Sequence, residues 1–263
     1  MRLSVVIPAY ESLVDVLSCL TSLQMYASRQ IDIEFIVADD ASPTTFFPAL
    51  LPPCAAKTVR APVNQGFAGN CNLGASFAEG DVIFFVNQDV FAMGEDINKL
   101  PFSVNWDIAL AKAFDNAAVG IVGAKLVFPD GKIQSAGGLY DAHCQPFHRC
   151  LGYGDHRYWE VNTPETVSWV TGASLAIRKP LFEQVGGFDT EYVGGYFEDT
   201  ALCEKVKECG ASVWYEPTCR LVHRVGTSGG NPLFAQNAQR FKAAWVDTGK
   251  VKPDTHAIKA NWW

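Results

Sequence analysis

Four apolar runs near the start of this chain each end in polar or acidic groups. "LSVVIPAY" runs out at Tyr10 and Glu11, and "IDIEFIVADDAS" at Asp39 and Asp40. "KTVRAP" is followed by Asn64 and Gln65, and "DVIFFV" by Asn87, Gln88 and Asp89. Short β-branched and aromatic runs of this kind read as buried strands. Between the first two lies "SLVDVLSCLTSLQMY", where Leu13, Val16, Leu17, Leu20 and Leu23 recur at helical spacing. Before the fourth, "NQGFAGNCNLGASFAEG" reads as a Gly-rich turn and a short helix. This order predicts an α/β fold with a mainly parallel, Rossmann-like sheet flanked by helices. Such sheets bind ligands beyond the carboxyl ends of their strands. The polar residues therefore mark one binding rim.

Composition narrows the classes. The chain has 263 residues, 48% hydrophobic and 19% charged, enough to bury a sizeable core. A net charge of −7 argues against nucleic acid as a partner. No run approaches the roughly 18 apolar residues of a membrane span. "MRLSVVIPAYES" reads as a first strand and not as a signal peptide. The eight cysteines contain no Cys-x-x-Cys and fit reduced, buried thiols. A cytoplasmic protein is expected.

The second half is less regular. "WDIALAKAFDNA" reads as a helix, "VGIVGAKLVF" as a strand, and Asp130-Gly131 as a hairpin tip. Residues 138–166 read as a loop over the site, with Tyr153, Tyr158 and Trp159 available to stack on a ligand or to pack the loop down. "TVSWVTGASLAIRK" reads as one strand and "PLFEQVGGF" as a short helix. "EDTALCEKVKECG" reads as a helix, and "ASVWYEP" and "RLVHRVGTSGG" as two further strands. "NPLFAQNAQRFKAAWVD" reads as a terminal amphipathic helix with Phe234, Phe241 and Trp245 on one face. His143, Cys144, His148 and Cys150 are close enough in sequence for zinc, but their spacing matches no common zinc motif.

The ordered set "VVIPAY", "VADDAS", "NQGFAGNCNLG", "FFVNQDV", "WVTGASLAIRKPLFEQVGGFD", "YFEDTALCEKVKECG" and "LVH" resembles family-2 glycosyltransferases of the GT-A fold. The subgroup it most resembles includes bacterial rhamnosyltransferases of surface-polysaccharide assembly. The resemblance implies one GT-A domain over 1–230 and a helical tail over 231–263. The nucleotide-binding half would run to about 118 and the acceptor and catalytic half from 119. It implies a UDP- or dTDP-sugar donor, dTDP-rhamnose being one case. The acceptor would be a hydroxyl of a glycan or lipid-linked glycan.

Roles follow from the same resemblance. Asp89 and His223 would hold Mg²⁺ or Mn²⁺ against the donor diphosphate, with Arg224 available to phosphate. Asn87 and Gln88 stand in the motif that often reads Asn-Pro-Asp; Asn87, where the family often has an acid, would hold a sugar or ribose. Asp40 would bond the base ring N–H, with Asp39 supporting it or capping the turn. Pro8, Ala9, Tyr10 and Glu11 would line the nucleotide, and Asn64, Gly66, Gly69 and Asn72 its wall. Asp199 would be the general base of an inverting transfer, and Glu198 its partner; either could equally serve as a plain helix N-terminal carboxylate. Ala201 stands where the family usually has an acid. Trp169, Thr171 and Gly172 would line the acceptor and sugar pocket, although Trp169 fits a core position equally well.

Two other readings compete. A sugar nucleotidyltransferase would want a basic, Gly-rich loop after the first strand, which "VVIPAYES" lacks. A catalytically inactive nucleotide- or glycan-binding module is opposed by the retained Asp89, Asp199 and His223. Trp262 and Trp263 could touch a membrane surface, a second subunit or a further downstream domain.

Overall fold

The computed structural model describes residues 1–43, 56–95, 102–153, 161–224 and 232–254. The first half alternates as expected: β1 (Arg2–Ala9), α1 (Leu13–Tyr26), β2 (Asp32–Asp39), β3 (Lys57–Arg60), α2 (Gly66–Ser76) and β4 (Val82–Val86). Then follow β5 (Val90–Phe91), α3 (Trp106–Ala113), β6 (Val119–Val127), β7 (Ile133–Ser135), β8 (Gly138–Tyr140) and β9 (Pro146–His148). The last described elements are β10 (Glu165–Thr166), β11 (Ser174–Arg178), α4 (Lys179–Gln184), α5 (Glu198–Glu208), β12 (Ser212–His223) and α6 (Phe234–Phe241). One π-helical turn, Lys242–Val246, extends α6.

The main sheet runs β10-β12-β6-β11-β4-β1-β2-β3, with β5 added on β12 and β7 on β6. Strands β3, β2, β1 and β4 are mutually parallel, so their carboxyl ends share one rim. Strand β11 is antiparallel to both β4 and β6, and β12 returns parallel to β6. The buried strands alternate their side chains between two cores. Val6 and Phe85 pack with Cys71 of α2 and with Leu202 and Val206 of α5. Val5, Ile7 and Phe84 pack with Val16 and Leu20 of α1 and with Trp106 of α3. The two-residue period of a strand forces this partition, and it places α2 and α5 together on one face.

Three segments differ from the sequence reading. The expected strand over 166–179 is broken in two. Thr166 pairs with β12, Trp169 bridges to Gly138, and Ser174 begins a new pairing with β4. A turn in which the Ser174 N–H donates to the Thr171 carbonyl separates the pieces. Of the two strands expected over 211–230, the described part forms one, Ser212–His223. Its register shifts between Glu216 and Arg220, where Pro217 has no N–H for the ladder. The expected loop over 138–166 contains the hairpin β8–β9 and strand β10.

Other expectations fall partly outside the described residues. Tyr158, Trp159, Trp262 and Trp263 lie outside them, as do all residues from 255 on. Among the described residues no helix is long and apolar enough to cross a membrane. The described cysteines are all free, and Cys19, Cys71, Cys203 and Cys219 are buried.

Candidate active site

The rim is assembled by side chains that tie strand ends to one another. The Gln88 amide receives the Tyr10 N–H at 3.0 Å and donates to the Tyr10 carbonyl at 3.2 Å, joining the ends of β4 and β1. Glu11 and Ser12 take positive φ, and the Glu11 N–H donates to the Ser42 hydroxyl at 2.8 Å. Tyr10 and Glu11 are exposed on the rim, whereas Pro8 and Ala9 are buried in β1. Asp40, just past β2, accepts the N–H groups of Gln65 and Gly66 at 2.7 and 2.9 Å. Burial raises its carboxyl above the ordinary range, against those two hydrogen bonds.

The glycine-rich turn works by close approach. Gly66 has φ +71°, a left-handed conformation that costs other residues strain. A Cβ on Gly69 would come within 2.6 Å of the Gln65 Cβ. Asn64 is exposed and its side-chain oxygen accepts the Gly66 N–H at 3.1 Å.

One wall assignment requires correction. Asn72 does not face the rim: its amide donates to the Phe188 carbonyl and accepts the Phe188 N–H, both at 2.9 Å. Asn70 faces it instead, donating to the Ala38 carbonyl at 2.7 Å. Two residues along a helix turn about 200°, so both cannot serve one wall. Asn70 was readable as the i+4 partner of Gly66. Asp39 follows the turn-capping alternative: it has no exposed surface, accepts the Ser42 N–H at 3.0 Å and is paired with Arg60.

Asp89 and His223 come together at the ends of β4 and β12. His223 Nε2 lies 3.1 Å from Asp89 Oδ1, and both residues are 7% exposed. The other ring nitrogen lies 3.4 Å from Oε1 of Gln134, a partner the sequence did not suggest. Burial works against the Asp89 charge. The His223 hydrogen bond and charge, helped by Arg224, outweigh it and hold the carboxyl below its usual range. Arg224 itself donates to Asp15 at 2.9 Å and stacks over Phe91.

The second carboxylate pair begins α5. Asp199 accepts the Gly172 N–H at 2.9 Å and the Thr200 N–H at 2.7 Å. Glu198 is 5% exposed and its Oε2 has no hydrogen-bond partner. Burial raises both carboxyls, Glu198 well above its ordinary value. A Cβ on Gly172 would meet the Phe67 ring at 3.1 Å and the Asp199 Cβ at 3.4 Å, so this glycine lets β11 and α5 close on α2. Thr171 is partly exposed beside it and accepts the Ala173 N–H on its hydroxyl at 3.3 Å.

Trp169 is a core residue: it is 5% exposed, lies over Gly138 and His148, and donates its indole N–H to the Leu139 carbonyl at 3.2 Å. The hairpin covers it, which removes it from any sugar pocket. Nor do His143, Cys144, His148 and Cys150 gather: no three His, Cys, Asp or Glu side chains among the described residues could hold one ion. Burial, with His223 nearby, lowers His148 to about 4.

The family model described as glycosyl transferase family 2 matches residues 4–105. Within residues 4–105 the chain is thus similar to family-2 glycosyltransferases. It is 28% identical over 170 residues to the O-antigen biosynthesis protein RfbC of Myxococcus xanthus, covering 60% of this chain and 12% of that protein. It is 30% identical over 97 residues to N-acetylglucosaminyl-diphospho-decaprenol L-rhamnosyltransferase of Mycobacterium tuberculosis, covering 37% of this chain and 29% of that protein. An uncharacterized protein of Sinorhizobium fredii is 30% identical over 188 residues, covering 70% of this chain and 20% of its own length. The chain thus spans under a third of each of these relatives.

Solved structures agree on the GT-A fold. GalNAc-T7 with UDP, GalNAc and Mn²⁺ superposes with a TM-score of 0.74 at 19% identity, covering 94% of this chain and 48% of that one. The mannosyltransferase PcManGT from Pyrobaculum calidifontis, in complex with GDP-Man and Mn²⁺, gives 0.59 at 19%, covering 87% and 58%.

Proposed function

We propose that this chain transfers a sugar, with inversion, from a UDP- or dTDP-sugar to a glycan hydroxyl in surface-polysaccharide synthesis. The observation that carries the reading is the meeting of Asp89 and His223 on the rim that Asp40, Gly66 and Asn70 build. Two of the similar structures hold Mn²⁺ with a nucleotide or nucleotide-sugar. Among the curated relatives are an O-antigen protein and a rhamnosyltransferase.

The residues present fit a divalent cation. Asp89 and His223 supply one oxygen and one nitrogen donor, and the Asn87 Oδ1 nearby is buried without a partner. Two protein ligands leave coordination positions to phosphate oxygens and water, the usual arrangement for Mg²⁺ or Mn²⁺ with a nucleotide. When bound, the ion would offset charge on the departing diphosphate. Asp199 takes the proton of the acceptor hydroxyl as that oxygen bonds to the anomeric carbon. The bond from that carbon to the diphosphate breaks from the opposite face. The Gly172 N–H holds Asp199 in place for this step.

The test is a titration of UDP, dTDP, GDP, ADP and CMP, with and without Mn²⁺, on the wild type and Asp89→Ala. Metal-dependent binding of UDP or dTDP that weakens in the variant supports the reading. Folded protein that binds none of the five sinks it. Tight binding with no turnover on any donor would favour a binding module.

A further inference from the structure

The segment before α5 is held in an unusual shape. Gly194, Gly195, Tyr196 and Phe197 have φ of +76°, +90°, +71° and +75°. Glycine accepts this region freely, but two successive aromatic residues there are strained. The strain is held by α6. Asn237 is 1% exposed, and its amide nitrogen faces the carbonyls of Val193, Gly195 and Tyr196 at 3.1, 2.8 and 3.3 Å.

The consequence is a display of apolar surface. Phe197 turns inward to the core, but Tyr196 and Phe234 stay 50% and 49% exposed. Their rings meet edge to face at 5.3 Å, each orienting the other. Val193, 51% exposed, belongs to the same loop. The loop also adjoins the nucleotide wall: a Cβ on Gly66 would lie 4.0 Å from the Gly194 nitrogen. Two and three residues after Tyr196 the chain reaches Glu198 and Asp199.

We propose that Tyr196 and Phe234 form a stacking surface for a pyranose ring of the acceptor, held in shape by Asn237. The inference rests on the reading of Asp199 as the base that receives the acceptor proton. A sugar ring presents apolar C–H faces edged by hydroxyls. Exposed aromatic rings of fixed orientation complement such a face, and they add little ordering cost because their rotamers are already set. The strain concentrates where the chain passes from the donor wall to the base, which is where an acceptor must lie. Phe234 and Asn237 lie outside residues 4–105, so this surface belongs to the chain's own C-terminal part.

The test is saturation-transfer NMR on the full chain with UDP or dTDP and diamagnetic Mg²⁺, using millimolar methyl α-rhamnopyranoside and methyl β-glucopyranoside as probes. Wild type is expected to pass saturation to the ring C–H protons of at least one probe. The signal should fall at least about threefold in Tyr196→Ala and in Phe234→Ala, and persist in Tyr196→Phe. No transfer to either probe, or full signal in both alanine variants, overturns the proposal. Nucleotide binding in the same samples separates the two readings. A wild type that binds neither UDP nor dTDP sinks the transferase reading and this proposal with it, whereas nucleotide binding without sugar contact sinks the proposal alone.

Discussion

His223 Nε2 lies 3.1 Å from Asp89 Oδ1 although 134 positions separate the two residues. The contact exists because β5, beginning one residue after Asp89, pairs with the end of β12, matching His223 to Val90. Sheet register therefore sets the geometry of the candidate metal site. The rim of the parallel half supplies the carboxylate, and the last strand brings the imidazole to it.

Losing either residue should remove metal-assisted nucleotide binding. In Asp89→Asn and His223→Ala, Mn²⁺-dependent UDP affinity is expected to fall by more than about tenfold, a loss that even an outer partner of a metal ligand can cause. Calorimetric titration of each variant with and without Mn²⁺ measures it. Equal Mn²⁺ enhancement in wild type and both variants would place the ion elsewhere.

Asp199→Asn should keep donor affinity and lose turnover. Removing a general base lowers the rate by about 10²–10⁴. The raised carboxyl of Asp199 also predicts that wild-type turnover declines, as pH falls, at a higher pH than an ordinary aspartate would impose. Single-turnover rates across pH check both points. Wild-type turnover in Asp199→Asn would remove this residue from the chemistry.

Glu198→Gln should stabilise the fold at neutral pH. The Glu198 carboxyl is raised by burial and by the neighbouring Asp199 charge. A carboxyl raised on folding favours the fold fully only below its unfolded value, about 4.3. That contribution is lost as pH rises toward and through the folded value. The variant's advantage over wild type should therefore be present at pH 8 and shrink to near zero at pH 4. Urea unfolding at the two pH values measures it, and an advantage at pH 4 alone would contradict the sign.

Asn70→Ala and Asn72→Ala should separate wall from scaffold. Each removes a side-chain hydrogen bond to backbone, at a cost of about 1–3 kcal/mol where a buried group is left unpaired. Asn70 holds the end of β2 at the rim, whereas Asn72 holds Phe188. UDP affinity should fall in Asn70→Ala and stay at the wild-type level in Asn72→Ala. Equal losses of affinity would reject the reassignment.

Local periodicity carried much of the fold. The runs ending at Ala9, Asp39, Arg60 and Val86 formed four parallel strands because β-branched and aromatic side chains set them without help from distant sequence. The second half was harder to read, since its pairings switch partners. Thr166, Trp169 and Ser174 contact three different neighbours within nine residues. A continuous apolar run looks the same whether it keeps one partner or changes.

The sequence by itself determined the α/β class, the order of the first strands and the rim where Asp40, Asn87 and Asp89 collect. Those follow from local period and from the rule that parallel strands end on one side. Only the tertiary structure decided that Trp169 is core, that Asn70 and not Asn72 faces the rim, and that Asn237 clamps the loop before Glu198. Each of these depends on which surface another element covers: the β8–β9 hairpin over Trp169, the segment around Phe188 against α2, and α6 against residues 193–196. Covering is a property of chain reversals far apart in sequence, and no local pattern encodes it.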